Sequence, residues 1–184
     1  MKPKNPRITI HMVSSLDGFV AKENGSVSWM HSKDTYEKGV ELTKEYIADF
    51  LASIDCYVMG SRTYEHAVEL GWPYGEVPVF VLTHRNLESE RKSVHFLSGD
   101  LTEIVTEQLK PNFTNIWMVG GTMLTKKFLQ LGLADEINIT IIPTLLGSGT
   151  LFFDHIEKEN TLHLKDVIAF KDGMVELVYE IVKE

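Results

Sequence analysis

Two stretches of this chain repeat one pattern: a short apolar run stops at glycine and passes straight into a helix-forming segment. In the clearer of the two, Ile116-Trp117-Met118-Val119 meets Gly120-Gly121 before a predicted helix from Thr122 to Leu131. The other runs Cys56-Tyr57-Val58-Met59, then Gly60, then Ser61-Arg62-Thr63-Tyr64-Glu65, with Ser61 as the expected helix N-cap. Apolar runs without alternation belong to strands covered on both faces, so this repeat commits the chain to an α/β fold around a largely parallel sheet.

The remaining segments extend that frame. Ile8, Ile10 and Met12 alternate with Thr9 and His11 and predict an opening strand. Between Lys33 and Leu51, the spacing of Tyr36, Val40, Thr43, Ile47 and Phe50 predicts the longest helix. Short strands are expected over Val79 to Leu82 and Val94 to Leu97, joined by a charged connection, with a helix over Leu101 to Gln108. Glu136 to Ile142 alternates, with Ile137, Ile139 and Ile141 on one face and Thr140 on the other. Leu162 to Ala169 and Val175 to Ile181, joined by the turn Lys171-Asp172-Gly173, predict a terminal antiparallel hairpin. The expectation is one three-layer domain over residues 1–184, its mostly parallel sheet holding about eight strands.

Composition narrows the partners. A formal charge of -8 argues against nucleic acid and anionic membrane surfaces, both of which call for a basic face. Cys56 is the only cysteine and the seven histidines are scattered, so neither a disulfide framework nor a metal site is expected. Met1 to Pro6 lacks the apolar run of a signal peptide, and no segment approaches the roughly 20 apolar residues of a membrane span. A cytoplasmic protein acting on a small molecule is expected.

In open α/β sheets ligands bind at the carboxyl ends of the strands. Three loops there suit phosphate. Gly120-Gly121-Thr122 lets backbone and a helix N-terminus approach a pyrophosphate, although a glycine pair is equally a tight turn. Gly60-Ser61-Arg62-Thr63 adds a guanidinium and two hydroxyls, and Thr83-His84-Arg85 follows the next strand. Ser14-Ser15-Leu16-Asp17-Gly18, with Asn24, Gly25 and Trp29 beyond it, reads as a loop that closes over a ligand or as an ordinary Asp-Gly turn. His31 lies close in sequence to Trp29 and Asp34 and is either a proton-handling group or a surface histidine. Trp72-Pro73-Tyr74 and Trp117 read as packing.

Taken in order, these motifs resemble the dihydrofolate reductase superfamily over nearly the whole chain. Within it, Ser15-Leu16-Asp17-Gly18, Leu133-Ala134-Asp135-Glu136 and Pro143-Thr144-Leu145-Leu146-Gly147-Ser148-Gly149 resemble the reductase domain of riboflavin-biosynthesis deaminase-reductases. The resemblance implies NADPH as cofactor. Gly60, Ser61, Arg62, Thr63, Thr83, His84 and Arg85 would hold its adenosine phosphate side. Gly120, Gly121, Thr122 and Leu124 would underlie the pyrophosphate, and Val13 and Ala21 would flank the nicotinamide. On the substrate side it implies Asp17 and Trp29 as binding residues, and a catalytic pair in which Asp34 starts the long helix and partners Thr140. An acid is also favoured in a first helical turn for the dipole alone.

Two family features are missing. No arginine stands between Gly71 and Thr83, where dihydrofolate reductases hold the folate tail, and the Asp-Pro-Leu-Arg run of riboflavin reductases is absent after the second strand. The implied activity is hydride transfer from NADPH to a small heterocyclic or carbonyl substrate, similar to 5-amino-6-(5-phosphoribosylamino)uracil reductase and dihydrofolate reductase. The alternative is a non-catalytic NADP(H)-binding module of the same fold. A homodimer is expected by the same resemblance.

Overall fold

Strand β1 (Arg7–Ser15) lies in the middle of the sheet, with Ile8 and Ile10 wholly buried on one face and Thr9 and His11 on the other. In the computed structural model, which describes residues 5–183, the start of the chain from Met1 to Lys4 and the last residue lie outside the described part. Beside β1 run β6 (Asn115–Gly120) and β7 (Glu136–Ile142), both parallel to it. The full order is β5 (Val94–Leu97), β4 (Val79–Leu82), β3 (Cys56–Gly60), β6, β1, β7, β10 (Val175–Ile181), β9 (Leu162–Ala169). Only β10 opposes the other strands, being antiparallel to both β7 and β9. This is the mostly parallel eight-stranded sheet with an antiparallel hairpin that the sequence predicts.

Helices cover both faces. One apolar cluster joins Ile8, Ile10, Val58, Ile116 and Met118 of the sheet to Ile104, Val105, Leu109, Phe128 and Leu129. These come from α3 (Leu101–Glu103) with the π-helical turn Ile104–Leu109, and from α4 (Thr122–Gln130). A second cluster, on the other face, joins Tyr57, Val79 and Val81 to Tyr64 and Ala67 of α2 (Ser61–Glu69) and to Trp72. Each such fully buried side chain contributes about 1.5–3 kcal/mol by burial. A separate ribbon pairs β2 (Phe19–Ala21) with β8 (Thr150–Leu151), an element that the sequence does not announce.

Three expectations are corrected. The long helix is short: α1 spans only Lys44–Ala52, capped by the Thr43 hydroxyl, which accepts from the Tyr46 N–H at 3.1 Å. Residues 36–40 instead bond along the terminal hairpin, Tyr36 N–H to the Lys171 carbonyl at 2.7 Å, Val40 N–H to Ala169 at 2.8 Å and Lys171 N–H to Val40 at 2.9 Å. Gly39 permits this, because a Cβ there would collide with the Phe170 backbone. Tertiary pairing has overridden helical spacing. Likewise Gly60, in extended conformation, is the N-cap of α2, and Ser61 is its first helical residue. The predicted Leu101 to Gln108 helix begins as α and continues as π, with Ile104, Val105 and Leu109 buried.

Candidate active site

At the carboxyl ends of β3 and β6, neighbours in the sheet, the two glycine loops lie side by side. A Cβ on Gly60 would stand 3.9 Å from both the Gly120 carbonyl oxygen and the Gly121 nitrogen, and one on Gly121 would touch the Thr63 hydroxyl at 3.4 Å. Gly120 has φ +123, a conformation open to glycine alone, and the Gly120–Gly121 peptide is cis. Both α2 and α4 begin without a side-chain cap, so their first N–H groups donate to no capping side chain. Two adjacent helix N-termini opening at the same end of the sheet make a cradle whose polarity suits an anion.

Around this cradle the predicted residues divide. Thr63 packs against Gly121, and Arg62 is exposed and forms no ion pair among the described residues. Arg85 is engaged: its guanidinium makes a two-pronged pair with Glu65 at 2.8 and 2.6 Å, which holds the Glu65 carboxyl below its ordinary pKa. Thr83 accepts from the Arg85 N–H at 3.0 Å, and His84 is exposed beside them. Thr122 opens α4, and the Leu124 N–H bonds back to Gly121 at 2.9 Å. Beneath the loop lies Met12 of β1, whose terminal methyl would meet a Cβ on Gly120 at 3.4 Å.

Further along the same end, Val13 of β1 is in register with Thr140 of β7, and Ala21 sits in the β2–β8 ribbon. The ribbon brings together two motifs far apart in sequence. Asp17 accepts from the Ser15 hydroxyl at 2.6 Å, from the Leu146 N–H at 3.1 Å and from the Gly147 N–H at 2.7 Å. Led by the Ser15 bond, these hold its pKa down at about 2. The Asp17 carboxylate thus clamps the Leu145 to Gly149 loop onto the end of β1, a structural task that the turn reading does not foresee.

The predicted acid and threonine are not partners. Asp34 follows Ser32, whose hydroxyl accepts from its N–H at 3.1 Å, and its exposed carboxyl packs on the hairpin turn, where a Cβ on Gly173 would collide with it. Because α1 starts ten residues later, Asp34 occupies no helical turn. The buried Thr140 is the register partner of Glu176 on β10, and its hydroxyl lies close enough to favour the ionised form of that carboxyl. Sequence reading missed Glu176 because it sits in the alternating Val175 to Ile181 run, where an acid looks like a solvent-facing position.

Trp29 is buried, with its indole N–H unpartnered among the described residues, and the His31 N–H bonds back to the Trp29 carbonyl at 2.7 Å. Trp117 stacks on His11 with centroids 4.8 Å apart and donates to the His11 carbonyl. Burial lowers the His11 pKa to about 4. Concavities of about 470 Å³ between Asp135 and Lys183, and about 170 Å³ under α1, lie at the amino ends of the parallel strands and contain none of the predicted site residues. Among the described residues there is no cluster of three or more potential metal ligands, and no helix is long and apolar enough to cross a membrane.

The sheet order, the flanking helices and the paired glycine loops define an α/β domain of the dihydrofolate-reductase-like class. Within that class the chain belongs to the family of RibD C-terminal domains, which matches it over residues 6–175. It is 31% identical to the uncharacterized protein YwjB of Bacillus subtilis, over 89% of this chain and 92% of that one. A putative riboflavin biosynthesis protein from Shewanella sp. PV-4 superimposes with a TM-score of 0.81 at 25% identity, covering 96% of this chain and 99% of the other. A Thermotoga maritima diaminohydroxyphosphoribosylaminopyrimidine deaminase/5-amino-6-(5-phosphoribosylamino)uracil reductase matches at a TM-score of 0.70 and 15% identity. That match covers 97% of this chain and 57% of the larger protein, and shows the fold.

Proposed function

We propose that the protein is an NADPH-dependent reductase of a small heterocyclic or carbonyl compound. The observation that carries this reading is the cradle at Gly60 and Gly120-Gly121, where two uncapped helix N-termini meet across adjacent strands. The fit to a dinucleotide pyrophosphate is steric as well as electrostatic, since side chains at these glycines would fill the approach. The exposed Arg62 guanidinium, at the start of α2, would take the extra phosphate that separates NADPH from NADH. When bound, the dihydronicotinamide supplies hydride; the protein supplies position, water exclusion and a proton.

The substrate side excludes the two familiar anchors, as no arginine stands between Gly71 and Thr83 and the riboflavin-type Asp-Pro-Leu-Arg run is absent. A substrate without a phosphate or glutamate tail follows from that side of the site. NADPH oxidation followed by absorbance tests the reading, with dihydrofolate, the phosphoribosylamino-pyrimidine and untailed heterocyclic and carbonyl compounds as acceptors. Oxidation faster with an untailed compound is expected. Tight NADPH binding with no oxidation across the panel favours the non-catalytic binding module.

A homodimer belongs to the same reading. Leu162, Leu164 and Val167 on the edge strand β9 are 39%, 49% and 51% exposed, a density of apolar side chains that a second copy would bury. The lone cysteine, Cys56, is buried and free, in keeping with a cytoplasmic setting.

A further inference from the structure

We propose that Glu176, not Asp34, is the acid that delivers the proton on the substrate side, with Thr140 as its positioning residue. The proposal rests on the reductase reading above and adds to it the identity of the proton donor.

Register carries the assignment. Gly120 of β6 lies over Met12 of β1; Val13, next along β1, is level with Thr140 of β7, and Thr140 is level with Glu176 of β10. Adjacent strands are about 4.8 Å apart, so Glu176 stands roughly 14 Å from the glycine cradle, three strands across the sheet. Thr140 and Glu176, directly opposed in register, share one face. An acid lying beside a threonine at the carboxyl end of β7 is the arrangement expected of Asp34, but here the acid comes from the neighbouring strand. Asp34 itself rests on Gly173 in the hairpin turn, before β10 begins.

The surroundings of Glu176 suit a carboxyl that holds its proton. It is half-buried on its own strand. Facing it are the Thr140 hydroxyl from β7, the Asp166 carboxylate from β9 and the Tyr46 phenol from α1. Burial, and then the charge of Asp166, raise its pKa, while the Thr140 hydroxyl opposes them in part. No lysine, arginine or histidine is among the groups that shift it.

The chemical step balances. As hydride adds to the carbon of a C=N or C=O bond, the π pair moves to the heteroatom. The Glu176 O–H bond breaks, the new N–H or O–H bond forms, and the carboxylate left behind is reprotonated from water. The substrate gains one hydride and one proton.

Titration by NMR of protein labelled with ¹³C at the glutamate carboxyls reads the proton directly, without activity. Glu176→Gln identifies the resonance. The expected result is a midpoint above the ordinary glutamate value of about 4.3, lowered by Asp166→Asn and raised by Thr140→Val. A midpoint in the ordinary range overturns the assignment. In the NADPH oxidation assay, Glu176→Gln is expected to lower kcat by about 100-fold or more, with NADPH affinity unchanged and the alkaline fall of the wild-type rate abolished. An unchanged kcat and pH profile also overturn the assignment. Failure of the wild type to bind NADPH is a different failure, since it removes the cofactor reading and with it the step that Glu176 would serve.

Discussion

At the scale of single residues, charge pairing decides which groups are available. Arg85 is held by Glu65 and Arg62 is not, so the two arginines, equivalent in sequence, are unequal in structure. Arg62→Ala is expected to weaken NADPH at least tenfold more than NADH in paired titrations, whereas equal losses would remove Arg62 from the extra phosphate. Asp17 is ionised in a set of hydrogen bonds that places its pKa near 2, below its ordinary 3.8. A depressed carboxylate favours folding above the ordinary value, and that contribution is lost as pH falls through the folded one. Thermal unfolding followed from pH 5 to 2 should therefore show wild-type stability falling between about pH 4 and about pH 2, and Asp17→Asn should flatten that fall. Thr140 was legible from alternation, but Glu176 was not. Its role depends on which residue of β7 it meets, and strand register is a long-range property.

At the scale of elements, the strands of the main sheet and the glycine loops were legible, because their signals are local: apolar runs, alternation and a glycine stop; the short β2–β8 ribbon carries no such signal. The segment from Lys33 to Thr43 was misread for the opposite reason. Its spacing is helical, but its backbone partners, Ala169 and Lys171, are far away in sequence in the hairpin, and Gly39 is the residue that lets them meet. Gly39→Ala should destabilise the protein by about 1–3 kcal/mol in urea denaturation, with faster amide exchange at Val40 and Lys171. Unchanged stability would mean that the segment does not rest on the hairpin. Gly120→Ala, at φ +123, should cost about 1–3 kcal/mol and abolish measurable NADPH binding.

At the scale of the whole molecule, one continuous sheet links the glycine loops on β3 and β6 to the Thr140–Glu176 pair on β7 and β10, with β1 between them. Fold class and family were legible because the motifs occur in the family's order along nearly the whole chain. The clamp between Asp17 and the Leu145 to Gly149 loop was not, because it joins segments that resemble the family separately and meet only in space. Light scattering should report a dimer, and Leu164→Glu with Val167→Glu should convert it to a monomer that still binds NADPH.

The proposal that the glycine cradle holds NADPH is tested most directly by thermal unfolding with and without NADPH at about a hundred times its Kd. Binding to the folded state alone is worth about 2.7 kcal/mol there, so the account predicts a rise in Tm of about 5–10 °C, smaller for NADH at the same concentration and lost in Gly120→Ala. No rise at any NADPH concentration up to the millimolar range would contradict it.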